Sequence, residues 1–564
     1  MRRLRSLLVH ALALTALGGC ESPGEPEASE PEATDTSLVA LSPVEQLLRV
    51  SMAVRGKRPS LDDLRAIDAE PGRLAELTDQ YLASDDFGAT VREVFNEALK
   101  LRVPAALYPA GFAARGKLEG QDVQRINVSV TEAPLRLIEH VVREDLPLSE
   151  IVTADYVLAD GHVAQVWGLP YSGSGTSWEV THYEDGRPHA GILTDSWLYT
   201  RHSSTFSNKN RGRANAIARG LLCHDFTERH VELDTTLDLS NPEQVANAIE
   251  SNPTCVSCHQ TLDPLAAFFG AYYPLFVPSQ LTAYPFQAYL PELAPLFTVK
   301  QPGYFGFDGG NVRHLGGMIA EDPRFLLCQA KRFYSYLAQV PLSEVPQARA
   351  AELSNVLGKN QSIRELVKAI VLDERFLVSH RTREDEPGEP SGLLRTRPWQ
   401  LASSIADLTG YRWQEEHAFD LGYGQVGSVD MMTDSLFGFE VVSGGIDSVN
   451  VALPSHSVTP PAAIVLRGLA QRAAQHVVQA DLEYPSSAKL FRAAPPTVFD
   501  EASVRAQLVE LYGRVLGQLL AADSQPIDEA LSLLQGARDA GADPQRAWTL
   551  GVFALLQHPR LAFY

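Results

Sequence analysis

Apolar residues recur at three- and four-residue spacing along most of the chain, the period of a helix that buries one face. The pattern predicts helices over residues 44–55, 73–83, 90–101, 134–143, 213–222, 324–338, 362–372, 459–479, 503–521 and 544–557. Ser60 followed by Asp63 has capping-box spacing, so another helix starts there. Strand-like alternation is rarer. Residues 178–183 and 189–193 flank Glu184-Asp185-Gly186, and residues 437–442 and 448–453 flank Gly444-Gly445. Both pairs read as hairpins. The expected class is mainly α, a multi-domain helical body with small β-hairpins.

Three stretches share a weak repeat: residues 47–87, 333–376 and 511–561. In each, a polar connection with a proline (Pro59, Pro346, Pro526) separates two apolar helices. The second helix closes in a similar hexamer: LASDDF at 82–87, VLDERF at 371–376 and LQHPRL at 556–561. AEDPRF at 320–325 is a fourth such ending. The expectation is a final helical turn stopped at Asp or Pro, with the last apolar side chain folded back. Ordinary likeness among amphipathic helices is the other reading.

Composition narrows the class. The chain has 564 residues, 45% hydrophobic and 21% charged, which excludes disorder as its main state. Its length suggests three or four domains. The net charge of −21, from 69 acidic and 48 basic residues, argues against nucleic acid and anionic headgroups as partners. Five cysteines are too few for a disulfide-stapled scaffold.

The amino terminus reads as an address. Arg2, Arg3 and Arg5 precede an apolar stretch over 6–17 that is too short to span a bilayer. Leu17-Gly18-Gly19-Cys20 closes it and resembles a bacterial lipobox, which implies lipidation of Cys20. An ordinary signal peptide with a chance cysteine is the alternative. Loss of the three arginines with residues 1–19 would move −21 to −24. Residues 21–37 hold six carboxylates, three prolines and no base, the composition of a hydrated tether. Membrane contact is then by lipid anchor only. Among lipoproteins of this likeness, Glu21 after the cysteine favours the outer membrane over the inner. The expected organisation is a signal peptide over 1–20, a tether over 21–40, a helical domain over 41–130 and a mixed α/β-hairpin domain over 131–250. A segment built on a C-x-x-C-H motif, with a closing helical domain, follows over 251–380. A charged linker, RTREDEPGEP at 381–390, then leads to a mainly helical domain over 391–564.

The sharpest chemical signal is Cys255-Val256-Ser257-Cys258-His259, C-x-x-C-H. Two thiols one helical turn apart suit the two vinyl groups of one haem, and the following histidine suits the proximal iron position. This points to one haem c, held by Cys255 and Cys258 and ligated by His259. A zinc site would need two more such ligands, and a thioredoxin-like pair would follow a strand. A structural disulfide within the motif is a further reading. A carbonyl near Asp263-Pro264 would take the ligand's other ring nitrogen. The aromatic run from Phe268 to Phe307 suits a haem wall or an ordinary core, and its six prolines break it into loops. Met318, 59 residues beyond His259, is the first candidate for the sixth ligand, ahead of His314 and an open position. Cys223 and Cys328 remain as an even pair in an oxidising compartment. They are expected to form a disulfide, with two buried free thiols as the alternative. Lys209, Arg211 and Arg213 read as a solvated basic face, or as partners of a haem propionate. There is no H-E-x-x-H and no G-x-S-x-G.

With these residues in view, the chain resembles the secreted multi-domain proteins of planctomycetes and myxobacteria that carry domains of unknown function around a cytochrome-c-like motif. The likeness rests on residues 146–168, on 190–223 with GILT at 191–194 and Arg211-Gly212, on NPTCVSCHQTLDPL at 252–265, and on 322–380 with Cys328. Ala266 departs from the usual glycine after D-P-L. The resemblance implies a secreted haem-type protein and assigns no reaction. Three functions follow as expectations. The first is an exported, lipid-anchored cytochrome-like electron carrier with a redox partner of unknown identity. The second is an envelope scaffold whose motif is structural. The third is a haem peroxidase-like enzyme.

Overall fold

A computed structural model describes residues 38–103, 118–228, 237–238, 240–273, 284–381, 392–416 and 428–564. Cys20, the tether up to residue 37 and the 382–390 part of the expected linker lie outside them. Among the described residues the chain forms 22 α-helices and eight short strands, a mainly helical fold.

Helices start where short polar residues can take their first free amides. Ser42 and Glu45 form a reciprocal capping box at the head of Pro43–Arg55. Ser60 caps Leu61–Ala69 by accepting from the Asp63 amide at 3.1 Å. Asp63 does not reach back, because it takes the Tyr81 hydroxyl at 2.9 Å instead. Asp322, Ser362 and Thr459 open Pro323–Ala338, Ile363–Val371 and Pro460–Glu483 in the same manner.

The helix expected over 90–101 begins five residues earlier, as Asp85–Leu99, and two others depart further from their expected limits. The one expected from Pro134 begins eleven residues earlier, as Val123–Arg143. Its first turns bury Val123, Ile126, Val130 and Ala133 at helical spacing, but Gln124, Asn127, Ser129, Thr131 and Glu132 are buried beside them and dilute that apolar period. The helix expected over 503–521 runs only as Glu501–Leu511. It widens into one π turn over Tyr512–Leu516 and stops at Gly517, whose φ of 67° is left-handed.

The expected hairpins form differently. The strand Glu179–Thr181 pairs with Val157–Ala159, antiparallel with Leu158 opposite Val180, and not with residues 189–193. The latter coil instead into a 3-10 turn, Gly191–Thr194. The turn residues cause this. Asp185 grips Arg187, and that buried guanidinium reaches the Thr194 carbonyl at 2.9 Å and Ser196 Oγ at 2.8 Å, closing the segment on itself. Gly191 lies against the Ile151 carbonyl with φ 53°, where a Cβ has no room. Residues 437–453 form turns, not strands. Asp447 accepts three backbone amides there, and Arg395 holds the Ser443 and Ser455 carbonyls. Of the other strands, Leu38–Ala40 pairs with the sequence-distant Val378–Arg381, Gln414–Glu416 with Ser428–Asp430, and Gly303–Tyr304 with Phe307–Asp308 in a tight local hairpin.

One hydrophobic core runs from Leu47 to Leu394 and takes in Tyr564, and a second runs from Leu401 to Leu561. The first is continuous through the three body segments laid out from sequence. Polar bonds join the two cores: Gln400 Nε2 donates to the Met52 carbonyl at 2.9 Å, Ser404 to the Gly56 carbonyl at 3.0 Å, and Trp399 Nε1 to the Tyr336 hydroxyl at 3.0 Å. Arg397 pairs with Glu97. Three of the hexamers are helix–helix junctions: Ser84, Asp322 and His558 each stand just before a new helix, Asp322 and His558 capping theirs with the side chain while the Ser84 hydroxyl donates back to the Tyr81 carbonyl at 2.6 Å. The residue closing each of the four hexamers (Phe87, Phe325, Phe376, Leu561) is buried. Among the described residues no helix is long and apolar enough to cross a membrane.

Beside the first core, His202 Nε2 donates to the Leu99 carbonyl at 2.9 Å. Burial, and then the Arg201 charge, push its pKa down to about 3. The unfolded chain therefore takes this proton first, at about pH 6.5. Stability from this group is complete above that pH and is lost as pH falls toward 3, at about 1 kcal/mol per unit. Melting temperature against pH checks it: His202→Gln should flatten the decline between pH 6.5 and 4, and an unchanged slope would refute the assignment.

Candidate functional site

Asn252 ends the helix Pro242–Ser251 and begins the next, Pro253–Ala267, its side chain accepting the Thr254 amide at 3.0 Å. Pro253 occupies the first helical position, where no amide is needed. The motif therefore lies at a helix start, as a thioredoxin-like pair would, but it follows a helix and not a strand. Cys255 and Cys258 fall three residues apart on one side of this helix. Both are free and half-buried.

His259 Nδ1 lies 3.0 Å from Asp263 Oδ1, one helical turn further on. Asp263 is 1% exposed. Arg211 grips the same carboxylate with its fork, Nε at 2.6 Å from Oδ1 and Nη2 at 3.0 Å from Oδ2. Burial alone would raise the Asp263 pKa, but hydrogen bonds from His259 and Arg211 outweigh it and hold the carboxyl below its ordinary range. An ionised carboxylate only accepts, so the neutral imidazole carries its proton on Nδ1 and presents Nε2 as the lone-pair nitrogen. The acceptor is thus the Asp263 side chain, not the neighbouring backbone carbonyl expected from sequence.

The basic cluster is not a solvated face. Arg213 is 1% exposed and spends its donors on the carbonyls of Tyr199, His202, Tyr272 and Tyr273 and on Asn210 Oδ1. Arg211 and Arg213 both stand at the start of Arg211–Leu222, which packs along the motif helix. Its far end carries Cys223, whose sulfur is bonded to that of Cys328 on Pro323–Ala338, with a Cα separation of 5.3 Å. The helix supporting the motif is therefore pinned at both ends.

The aromatic run divides. Phe268, Phe269 and Tyr272 are buried, and Tyr272 stacks on Tyr199 at 3.8 Å between ring centres, so this part is ordinary core. Phe307 is exposed. Phe276 and its neighbours over 274–283 lie outside the described residues. Met318, in Val312–Glu321, packs against the first core. Two residues before it, Gly316 is pressed on the Val152 carbonyl, so this stretch belongs to the side of the molecule formed by Glu150–Thr153. His314 is exposed on the same helix. Among the described residues no three His, Cys, Asp or Glu side chains converge as a metal-ligand set, so the zinc reading finds no second pair of ligands there.

Sequence reasoning missed Asp263 as a side-chain partner and Arg211 as its clamp. The four-residue step from His259 to Asp263 was a usable signal once the segment is helical. The 52-residue step to Arg211 carried none.

Residues 189–275, which include Arg211, Arg213, Cys223, the C-x-x-C-H motif and Asp263, match the family described as PSCyt3, protein of unknown function (DUF1588). No curated protein and no solved structure matches the chain.

Proposed function

We propose that this chain is an exported, lipid-anchored, cytochrome-like electron carrier that holds one haem c through Cys255 and Cys258, with His259 as the proximal ligand. The observation that carries the reading is the His259–Asp263–Arg211 relay. A ligating histidine needs its other ring nitrogen tied to an acceptor so that the ring cannot turn and the correct tautomer is fixed. Asp263 does both, and Arg211 fixes Asp263. The two thiols are unpaired, partly open to solvent and on one side of one helix, which suits attachment. A bound haem supplies one-electron exchange. The residues contribute orientation, and the Asp263 negative charge on the far side of the ring strengthens His259 as a donor. Attachment of this kind agrees with an envelope location and with Cys20 as the lipidated residue, the outer membrane being favoured. The redox partner is of unknown identity.

Met318 is partly buried against the first core; a sixth position left open or exchangeable is the arrangement a peroxidase-like enzyme would need. Met318 ligation, by contrast, requires Val312–Glu321 to reach toward the motif helix.

Expression in a host competent for cytochrome maturation, followed by a pyridine haemochrome assay, tests the reading. One covalent haem per chain is expected, and its loss in Cys255→Ala/Cys258→Ala. Carbon monoxide binding to the reduced protein then separates an open sixth position from Met318 ligation. A folded, export-competent protein without covalent haem would overturn the proposal and leave the envelope-scaffold function for the helical body.

A further inference from the structure

Three large apolar side chains stand exposed beside the clamp of the motif. Phe206 is 61% exposed, Leu296 57% and Val299 43%. They gather around one buried ring, Phe297. Phe206 stacks on it with ring centres 5.0 Å apart, and Leu296 and Val299 flank it in sequence. Apolar side chains scattered singly over a surface need no cause, but a contiguous group marks a contact.

The group is tied to the motif from two directions. Arg211, which grips Asp263, also donates from Nη1 to the Ser207 carbonyl at 3.4 Å, next to Phe206. The turn that carries Phe206 is held firmly. Lys209 and Asn210 are both left-handed, with φ of 50° and 67°, a strained state for residues with side chains. Asn210 offsets that strain from a fully buried position: its Nδ2 donates to the Phe297 carbonyl at 3.3 Å, and its Oδ1 accepts from Arg213 at 2.9 Å. The short helix Ala294–Phe297 is seated on the end of the motif helix, where a Cβ at Gly270 would meet Thr298 at 2.6 Å and the Ala294 carbonyl at 3.3 Å. Phe206, Leu296 and Val299 therefore keep their place relative to the C-x-x-C-H residues.

Size and charge limit what can cover the group. Three side chains of this kind expose roughly 300 Å², well short of the about 800 Å² that a stable protein interface takes from each partner. A flat apolar ring is of the right scale. Two lysines border the group, Lys209 in the turn and Lys300 next after Val299. Lys209 forms no ion pair among the described residues, and Lys300 only a long one, at 3.5 Å, with the exposed Glu250. On a chain of net charge −21, a border of cations with pairing capacity to spare suits a ring that carries carboxylates.

Resting on the haem reading above, we propose that Phe206, Leu296 and Val299 seat the apolar part of the porphyrin ring held at Cys255 and Cys258, and that Lys209 and Lys300 take its carboxylates. The seat is drawn from two stretches, residues 205–209 and 294–300, and it is separate from Phe268, Phe269 and Tyr272, which are spent on the core. Its contribution is apolar surface and counter-charge, while His259, Asp263 and Arg211 keep the task of orientation. An apolar cover beside the iron disfavours the more charged oxidised state, so the seat also raises the reduction potential.

Titration of the full chain carrying Cys255→Ala/Cys258→Ala with metal-free protoporphyrin IX, followed by porphyrin fluorescence, tests the seat by itself. There is then no motif thiol to join the ring and no iron to ligate. Saturable binding of one ring per chain is expected. In this background Phe206→Asp should weaken it about tenfold, and Leu296→Ser/Val299→Ser by a similar factor. Both changes fall on exposed side chains, so the melting temperature should hardly move and reports that the fold is intact. Lys209→Gln/Lys300→Gln should weaken binding roughly threefold at low salt and have no effect at about 1 M salt, where exposed charges are screened. No saturable binding, or equal binding by the parent and both apolar variants, would overturn the seat, even with covalent haem present in the haemochrome assay. Porphyrin binding with these variant effects but no covalent haem would instead overturn the carrier reading and leave a site for a free porphyrin.

Discussion

The double variant Cys223→Ser/Cys328→Ser is expected to lose roughly 4–5 kcal/mol of stability, the largest effect of any change outside the cores. The two residues are 105 apart in sequence, so the bond removes a great deal of freedom from the unfolded chain. Their Cα atoms, 5.3 Å apart, need no backbone shift to be bridged. Polar bonds between the same helices survive the change: Gln329 Nε2 still reaches the Leu221 carbonyl at 3.1 Å, and Arg332 Nε the Gly220 carbonyl at 3.1 Å. The variant should therefore fold into the same shape, weakened mainly through its unfolded state. Urea unfolding of variant and parent gives the difference. A loss below about 1 kcal/mol, outside the usual span for a native crosslink, or four alkylatable thiols in the native, haem-free, secreted form, would contradict the bond.

Asp263→Ala comes next, at about 3 kcal/mol in the haem-free chain. The change leaves the Arg211 guanidinium against a cavity where its counter-charge stood, and only 18% of that side chain reaches solvent. Asp263→Asn keeps an oxygen for one donor and should lose about half as much. Chemical denaturation of the two variants tests the order Ala worse than Asn. If haem is attached, Asp263→Asn should also raise its reduction potential, because a neutral amide makes His259 a weaker donor than a carboxylate does. Equal stability of parent and Asp263→Ala would show that the buried pair carries no net energy. An unmoved potential in Asp263→Asn would show that the carboxylate only positions the ring.

Helix positions were legible because their signals are local. Ser42, Ser60, Ser362 and Thr459 stand just ahead of the runs they cap, and a cap needs only three residues to work. Asn252-Pro253 carries the same kind of signal, and with it the motif helix could have been read outright. What failed depended on distance. The partner of Glu179–Thr181 was set by Arg187 and Gly191, which draw the following segment away from it. The first turns of Val123–Arg143 hid because polar side chains from Gln124 to Glu132 are buried beside their apolar stripe of Val123, Ile126 and Val130 and dilute its signal. At the candidate site, the motif residues were legible from spacing alone. Arg211 was visible as a charge but not as a partner, since nothing local distinguishes an arginine bound for solvent from one bound for a carboxylate 52 residues away.

Arg213 has a consequence for how this sequence can drift. It serves five acceptors drawn from three separate stretches, residues 199–202, Asn210 and residues 272–273. Arginine brings five N–H donors in a planar fork, whereas lysine brings three around a point. A lysine there would strand at least two of these acceptors, and any shorter side chain would strand all five. No single substitution at this position serves all five acceptors, so a descendant that loses the arginine must find other donors for those left over. The residue is a fingerprint by which distant relatives of this arrangement can be sought, in sequences too diverged to align elsewhere.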